Sequence, residues 1–280
     1  MAKVNVFFAQ GNIRSVYFAQ AACYGLKKVG DKVKMREAKD HKLIDADYAV
    51  FYGFAGGLRD VYNDYREYST VVYADLGYWK RRIRTRYDGY YKMVVNDRHP
   101  TAYFQTHAHP IDRTAELNLK ARPWKTSGTN IILAGMSEKA SRAEGLIHQA
   151  WERDTFAFLK RVTDRPIIYR PKPSCCRSRF IKGALYDKTS SPETLFKDAW
   201  AIVTRHSNIA VEAILAGVPA FVEAGVALPM SETNLRKIET PFYPVGRKGW
   251  ANDIAWCQFT KEEISQGLPF MHLKQEGLIP

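Results

Sequence analysis

Residues 201–223 read AIVTRHSNIAVEAILAGVPAFVE, and the change of apolar period within them decides the fold. Ala201 to Thr204 is a short β-type apolar run. From Asn208 to Ala216 the residues Ile209, Val211, Ala213, Ile214, Leu215 and Ala216 form a wide helical stripe. Gly217 stands where a helix end takes a left-handed residue, Pro219 forbids continuation, and Ala220 to Val222 opens the next strand. The unit is therefore βαβ, with its strands parallel. Its turn, Arg205-His206-Ser207-Asn208, follows a strand and precedes a helix, where unpaired backbone N–H groups and the positive dipole end receive a phosphate. Glu212 lies one helical turn further on the same face as Asn208, within reach of a ribose or sugar hydroxyl beside that anion. The plainer alternative is that Ser207 or Asn208 merely caps the helix and Glu212 is an exposed helical residue.

The chain on either side alternates in the same way. Lys3 to Ala9 reads as a first strand, closed by the turn Gln10-Gly11-Asn12. Ser15 to Lys28 reads as a helix, Val33 to Arg36 and Tyr48 to Gly53 as strands, Leu58 to Tyr68 as a helix, and Thr70 to Ala74 as a strand leading into Asp75. A second series starts with the strand Asn130 to Gly135, whose turn mirrors that of Gly11. It continues with a helix from Gly145 to Val162, a strand from Pro166 to Pro171, and a helix from Ser191 to Ala199 with Ser191 as cap and Pro192 in its first turn. Gly11 and Gly135 allow a ligand to approach the backbone, or simply make their turns. A short helix is expected near Glu232 to Ile238. Trp250 to Gly267 reads as helical, with a capping box at Thr260 and Glu263. Alternation of this kind predicts an α/β protein of two Rossmann-like domains, residues 1–120 and 125–250, each a parallel sheet with helices on both faces, followed by a helical return over 251–280.

Composition sets further limits. The chain has 280 residues, 46% of them hydrophobic, enough for substantial cores. It shows neither a run that would span a bilayer nor a signal-peptide pattern, so a cytoplasmic protein without membrane insertion is expected. Cys23, Cys175, Cys176 and Cys257 lack metal or disulfide-framework spacing and read as thiols. His107 and His109, with Asp112 nearby, are a conceivable metal pair, but no further ligand cluster has suitable spacing, so no metal site is expected. Lys and Arg number 42 against 29 acidic residues, a net charge of +13, which favours an anionic substrate or partner.

Two stretches concentrate that charge. YWKRRIRTRYDGYYK, residues 78–92, interleaves cations with aromatics, a pattern suited to phosphate backbones and stacked bases; Trp79, Lys80, Arg81 and Arg82 are its candidate contacts. A solvated segment with snorkelling tyrosines is the alternative. Arg170 and Lys172, at a strand's end, are expected to add charge to the phosphate crevice.

The order H-S-N-x-x-x-E-A-x-x-x-G-V-P over residues 206–219 resembles the donor-binding βαβ unit of GT-B glycosyltransferases. That resemblance implies His206, Ser207 and Asn208 at the diphosphate of a nucleotide-sugar, a UDP-sugar first among them, and Glu212 at its ribose. It also implies a C-terminal helix crossing back to the first domain, with Trp250, Trp256, Phe259 and Phe270 suited to the seam. DLGYW, RHP, GMSEK, YRPKPS and RHSN together are similar to a small class of phage-encoded glycosyltransferase-like proteins, which makes a modified base in DNA one acceptor to consider. The expected activity is sugar transfer to a hydroxyl, needing charge stabilisation as the diphosphate leaves and a base for the acceptor. Arg170, Lys172 and His206 would neutralise the leaving group without an obligatory metal ion. Asp75, following a first-domain strand and so facing the interdomain cleft, is the first candidate base, and His99 the second; a turn aspartate bonded to its own backbone is the other reading of Asp75. A nucleotide-sugar epimerase of the same fold and a non-catalytic nucleic-acid-binding protein are the rival classes.

Overall fold

The computed structural model describes residues 1–81, 83, 87–100, 109, 111–172, 177–188 and 191–280; Arg82, His107, Cys175 and Cys176 lie outside them. In chain order the elements begin β1 (Lys3–Phe8), α1 (Ile13–Lys28), β2 (Lys32–Glu37), β3 (Tyr48–Tyr52), α2 (Leu58–Tyr68), β4 (Thr70–Leu76), β5 (Tyr90–Val95) and α3 (Arg113–Glu116). There follow β6 (Asn130–Ala134), α4 (Glu138–Ala143), α5 (Ala150–Val162), β7 (Ile167–Arg170), β8 (Leu185–Tyr186), α6 (Pro192–Phe196), β9 (Ala199–Thr204), α7 (Ile209–Leu215) and β10 (Ala220–Val222). The chain closes with α8 (Arg247–Ala255), β11 (Gln258–Thr260), α9 (Lys261–Gln266) and α10 (Leu268–Gln275). No helix among the described residues is long and apolar enough to cross a membrane.

The chain divides into two compact units, Met1–Arg113 with Asp253–Pro280, and Thr114–Asn252. In the first, the strand order is β11-β5-β4-β3-β1-β2. Its central strand YAVFY is buried at every position, as a strand covered on both faces must be. Val50 and Tyr52 point into a core built with Phe18 and Leu26 of α1, Ile264 of α9 and Phe270 and Leu273 of α10. Ala49 and Phe51 point the other way, against Leu58, Val61, Tyr62 and Tyr65 of α2. The two-residue period of the strand thus places helices on both faces.

In the second unit the order is β10-β9-β6-β7-β8, every neighbouring pair parallel. Ile131, Leu133, Ala201, Val203 and Phe221 pack there with Trp151, Phe156 and Leu159 of α5.

Several expectations are corrected. The first sheet is mixed: β5 runs antiparallel to β4, and β11 antiparallel to β5. No crossover helix stands among the described residues between β4 and β5, so the chain turns back instead of crossing over. Trp250 to Gly267 is not one helix, because Gln258–Thr260 leaves the helical path to pair with Tyr90–Lys92. The capping box at Thr260 and Glu263 is present, and it starts α9. The helix expected from Gly145 starts at Ala150, behind Gln149 in a left-handed conformation. Near Glu232 there is only a 3-10 turn, Leu235–Lys237. Of the seam aromatics, Trp256, Phe259 and Phe270 join the first unit's core, whereas the Trp250 Nε1–H donates to Val226 O (2.8 Å) in the second unit. Cys23 and Cys257 are free thiols, and burial pushes the Cys23 thiol up to about 11.

Candidate functional site

In the second unit β6 is flanked by β7 on one side and β9 on the other. The strand order therefore reverses between β6 and β9, and a ligand crevice belongs at the carboxyl ends of that pair. Those ends carry Gly135 and the Arg205–Asn208 turn, and the Thr204 hydroxyl, donating to Ala134 O at 2.9 Å, ties the two strands together there.

Gly135 sits tightly: a Cβ would stand 3.0 Å from the Tyr169 hydroxyl and 3.1 Å from Glu152 Oε1, so those side chains would have to give by a few tenths of an ångström. Around Gly11, by contrast, the space is open. Behind Gly135 the Met136 N–H donates to Glu152 Oε1 (2.7 Å), while Glu152 Oε2 is buried with no hydrogen-bond partner among the described residues.

The turn is held by carboxylates the sequence reading did not single out. Glu144, just past α4, accepts from Arg205 Nε–H (2.5 Å), and its other oxygen lies 2.7 Å from His206 Nε2. The Arg205 guanidinium also pairs with Glu223, at the end of β10, which accepts in turn from Trp151 Nε1–H at 2.5 Å. Burial holds the His206 imidazole below its ordinary range, Lys172 adds to that, and Glu144 opposes it. Burial therefore disfavours a charge on His206, and one arginine serves two carboxylates. Glu223 closes the strand after the quoted turn, a position from which its role was readable; Glu152 interrupts the Trp151, Thr155, Phe156, Leu159 stripe, which also flags it. Nothing in the local sequence points to Glu144.

Ser207, Asn208 and Glu212 are all half-buried. The Asn208 side chain makes no capping hydrogen bond, so the capping alternative does not explain it. Helix α7 has only seven residues and a correspondingly small dipole. Lys172 is exposed and within electrostatic reach of His206. Arg170 departs from expectation: it is buried and bound to Asp187 Oδ2 at 2.5 Å, so its charge is committed within the fold.

In the first unit, Asp75 is the penultimate residue of β4. Its Oδ2 accepts from the Tyr73 hydroxyl (2.9 Å) and its Oδ1 from the Leu76 N–H (2.8 Å). Burial and the Asp75 charge push the Tyr73 hydroxyl far up, so it stays protonated and donates. The backbone bond expected of a turn aspartate is present, and the tyrosine additionally orients the carboxylate. His99 Nδ1 lies 3.4 Å from the Tyr78 hydroxyl.

The basic segment is less open than its composition suggests. Tyr78 and Trp79 are buried, which withdraws Trp79 from the base-stacking role expected of it, because a ring can stack on a base only from the surface. Arg81 turns back to Gly77 O (2.9 Å) and Tyr78 O (3.2 Å), while Lys80 is exposed.

Two α/β units in tandem, with the last segment of the chain returning to the first, constitute the GT-B fold. No family model matches the chain, and no curated protein does. Among solved structures it is similar to the Thermosulfurimonas dismutans KpsC beta Kdo 2,4 transferase, with 12% identity over 90% of this chain and 89% of that one and a TM-score of 0.55. The beta Kdo 2,7 transferase of the same organism's KpsC gives 13% identity over 97% and 99%, with a TM-score of 0.53. At these identities the likeness is one of fold.

Proposed function

We propose that this protein is a glycosyltransferase that moves a sugar from a nucleotide-sugar donor, a UDP-sugar first among those to test, to a hydroxyl acceptor. The observation that carries the reading is the placement of Gly135 and the Arg205–Asn208 turn at the reversal of strand order in a GT-B fold. His206, Ser207, Asn208 and Lys172 take the diphosphate and Glu212 the ribose. Because burial disfavours a charge on His206 and Arg205 is shared between Glu144 and Glu223, Lys172 supplies most of the stabilisation of the leaving group.

His206→Ala is expected to weaken nucleotide binding by about tenfold or more, as loss of a donor to a charged group does, with the fold intact by circular dichroism. Calorimetry giving an unchanged affinity in the folded variant removes the turn from the site. A mass-spectrometric screen of UDP-, GDP-, ADP- and CMP-sugars identifies the donor. NMR of the donor alone exposes a stereochemical change, and with it an epimerase.

The net charge of +13 supports an anionic acceptor, DNA among them, held by cations such as Lys80 rather than by stacking on Trp79. On duplex DNA the log–log salt slope is then about −0.9 per phosphate contact, and joint replacement of Lys80, Arg81 and Arg82 makes it shallower by up to about three units. Filter binding at several salt concentrations measures this; no retention at low salt excludes DNA and leaves an anionic glycan.

A further inference from the structure

A second cluster of chemistry-bearing side chains lies within the first unit, on residues the proposed transfer does not use. His272 in α10 and Glu276 just beyond it are four residues apart, so both project from one helical face. They converge with His109: one ligand atom from each residue can be chosen so that all three lie within 4.8 Å of one another. The His109 side chain is 1% exposed, and the Asp253 carboxylate stands 4.0 Å from its Nε2. Packing accounts for the rings alone. His109 stacks on Trp256 with centroids 5.6 Å apart and planes at 19°, and the His272 ring lies 4.7 Å from the same indole. A stack of rings has no need of a carboxylate, yet a Glu276 oxygen lies within 4.8 Å of a nitrogen of each imidazole.

We propose that His109, His272 and Glu276 bind a divalent cation of the zinc class, and that the cation clips α10 to the chain segment entering α3. Two imidazoles with carboxylate oxygens are a donor set of borderline divalent ions. Bonds of about 2.0 Å place ligand atoms about 3.3 Å apart, so small rotamer adjustments close the shell. Arg113 is the opposing charge nearby; its guanidinium is bound to Glu263 at 2.7 Å and packed 5.2 Å from the Trp256 ring centroid.

The test uses the full chain, stripped with a chelator and titrated with Zn(II) or Co(II) alone. One equivalent of Zn(II) should bind and raise the melting temperature, and Co(II) should give the visible absorption of a low-coordinate site. Changing an outer-shell partner of a metal site costs about 10–100-fold in affinity, so Glu276→Gln, which removes a ligand, should weaken Zn(II) by about tenfold or more. That variant keeps both imidazoles and the Trp256 indole, so a loss of Zn(II) affinity in it reports the carboxylate. His272→Gln should lose binding as well; should it fail to fold, Glu276→Gln decides. Absence of a Zn(II) equivalent, or wild-type affinity in Glu276→Gln, overturns the site.

Discussion

Asp75→Asn is expected to lower turnover by about a hundredfold or more while leaving nucleotide affinity within about twofold, because general-base catalysis contributes roughly 10²–10⁴ to rate and Asn cannot take a proton. Shape is conserved in this exchange. The Leu76 N–H, now bound to Oδ1, keeps an oxygen acceptor in the amide, and the Tyr73 hydroxyl can accept from the new NH₂. A fall in turnover with unchanged melting temperature and unchanged donor affinity therefore reports lost proton acceptance. The measurement is steady-state kinetics with the donor found by the sugar screen. Near-normal turnover would leave Asp75 as a residue that orders the end of β4 and would pass the role of base to His99.

Gly25→Ala should destabilise the first unit by about 2–3 kcal/mol. In a solvated helix the same change would stabilise by about 1 kcal/mol. Here the added Cβ would stand 1.9 Å from the Ile264 carbonyl oxygen of α9 and 3.1 Å from Gly267 Cα. A backbone carbonyl cannot rotate aside as a side chain can, so α9 must lift from α1, and overpacking of this kind costs about 1–3 kcal/mol and sometimes more. Ile264 reaches the shared core beside Phe18 and Leu26, so part of that burial is lost too. The expected fall in melting temperature is roughly 5–10 °C. Gly11→Ala is the control: nothing lies within 4 Å of its would-be Cβ, and no change is expected. A Gly25→Ala protein melting at or above the wild-type temperature would show that the C-terminal return does not dock on α1 this closely.

The βαβ unit of residues 201–223 was readable because strand and helix bury their faces with different periods, and the sequence records burial directly. Caps were readable for a similar reason: Ser191 with Pro192, the Thr260 and Glu263 box, and Gly217 at φ +84 each act within a few residues of themselves. Other features depend on partners distant in the chain. Phe259 is apolar in a helix or in a strand, and only the open edge of β5 selects the strand. Glu144 meets Arg205 across 61 residues, and Arg170 finds Asp187 across 17, so the charges ascribed to a phosphate crevice are in part neutralised within the fold. His109 and His272 read as unrelated loop and helix residues until the C-terminal return brings them together. Periodicity and capping fix which surface of an element is buried and where it ends. What that surface meets, and which charge a titratable side chain answers, is decided by packing between elements, and the local sequence carries no record of it.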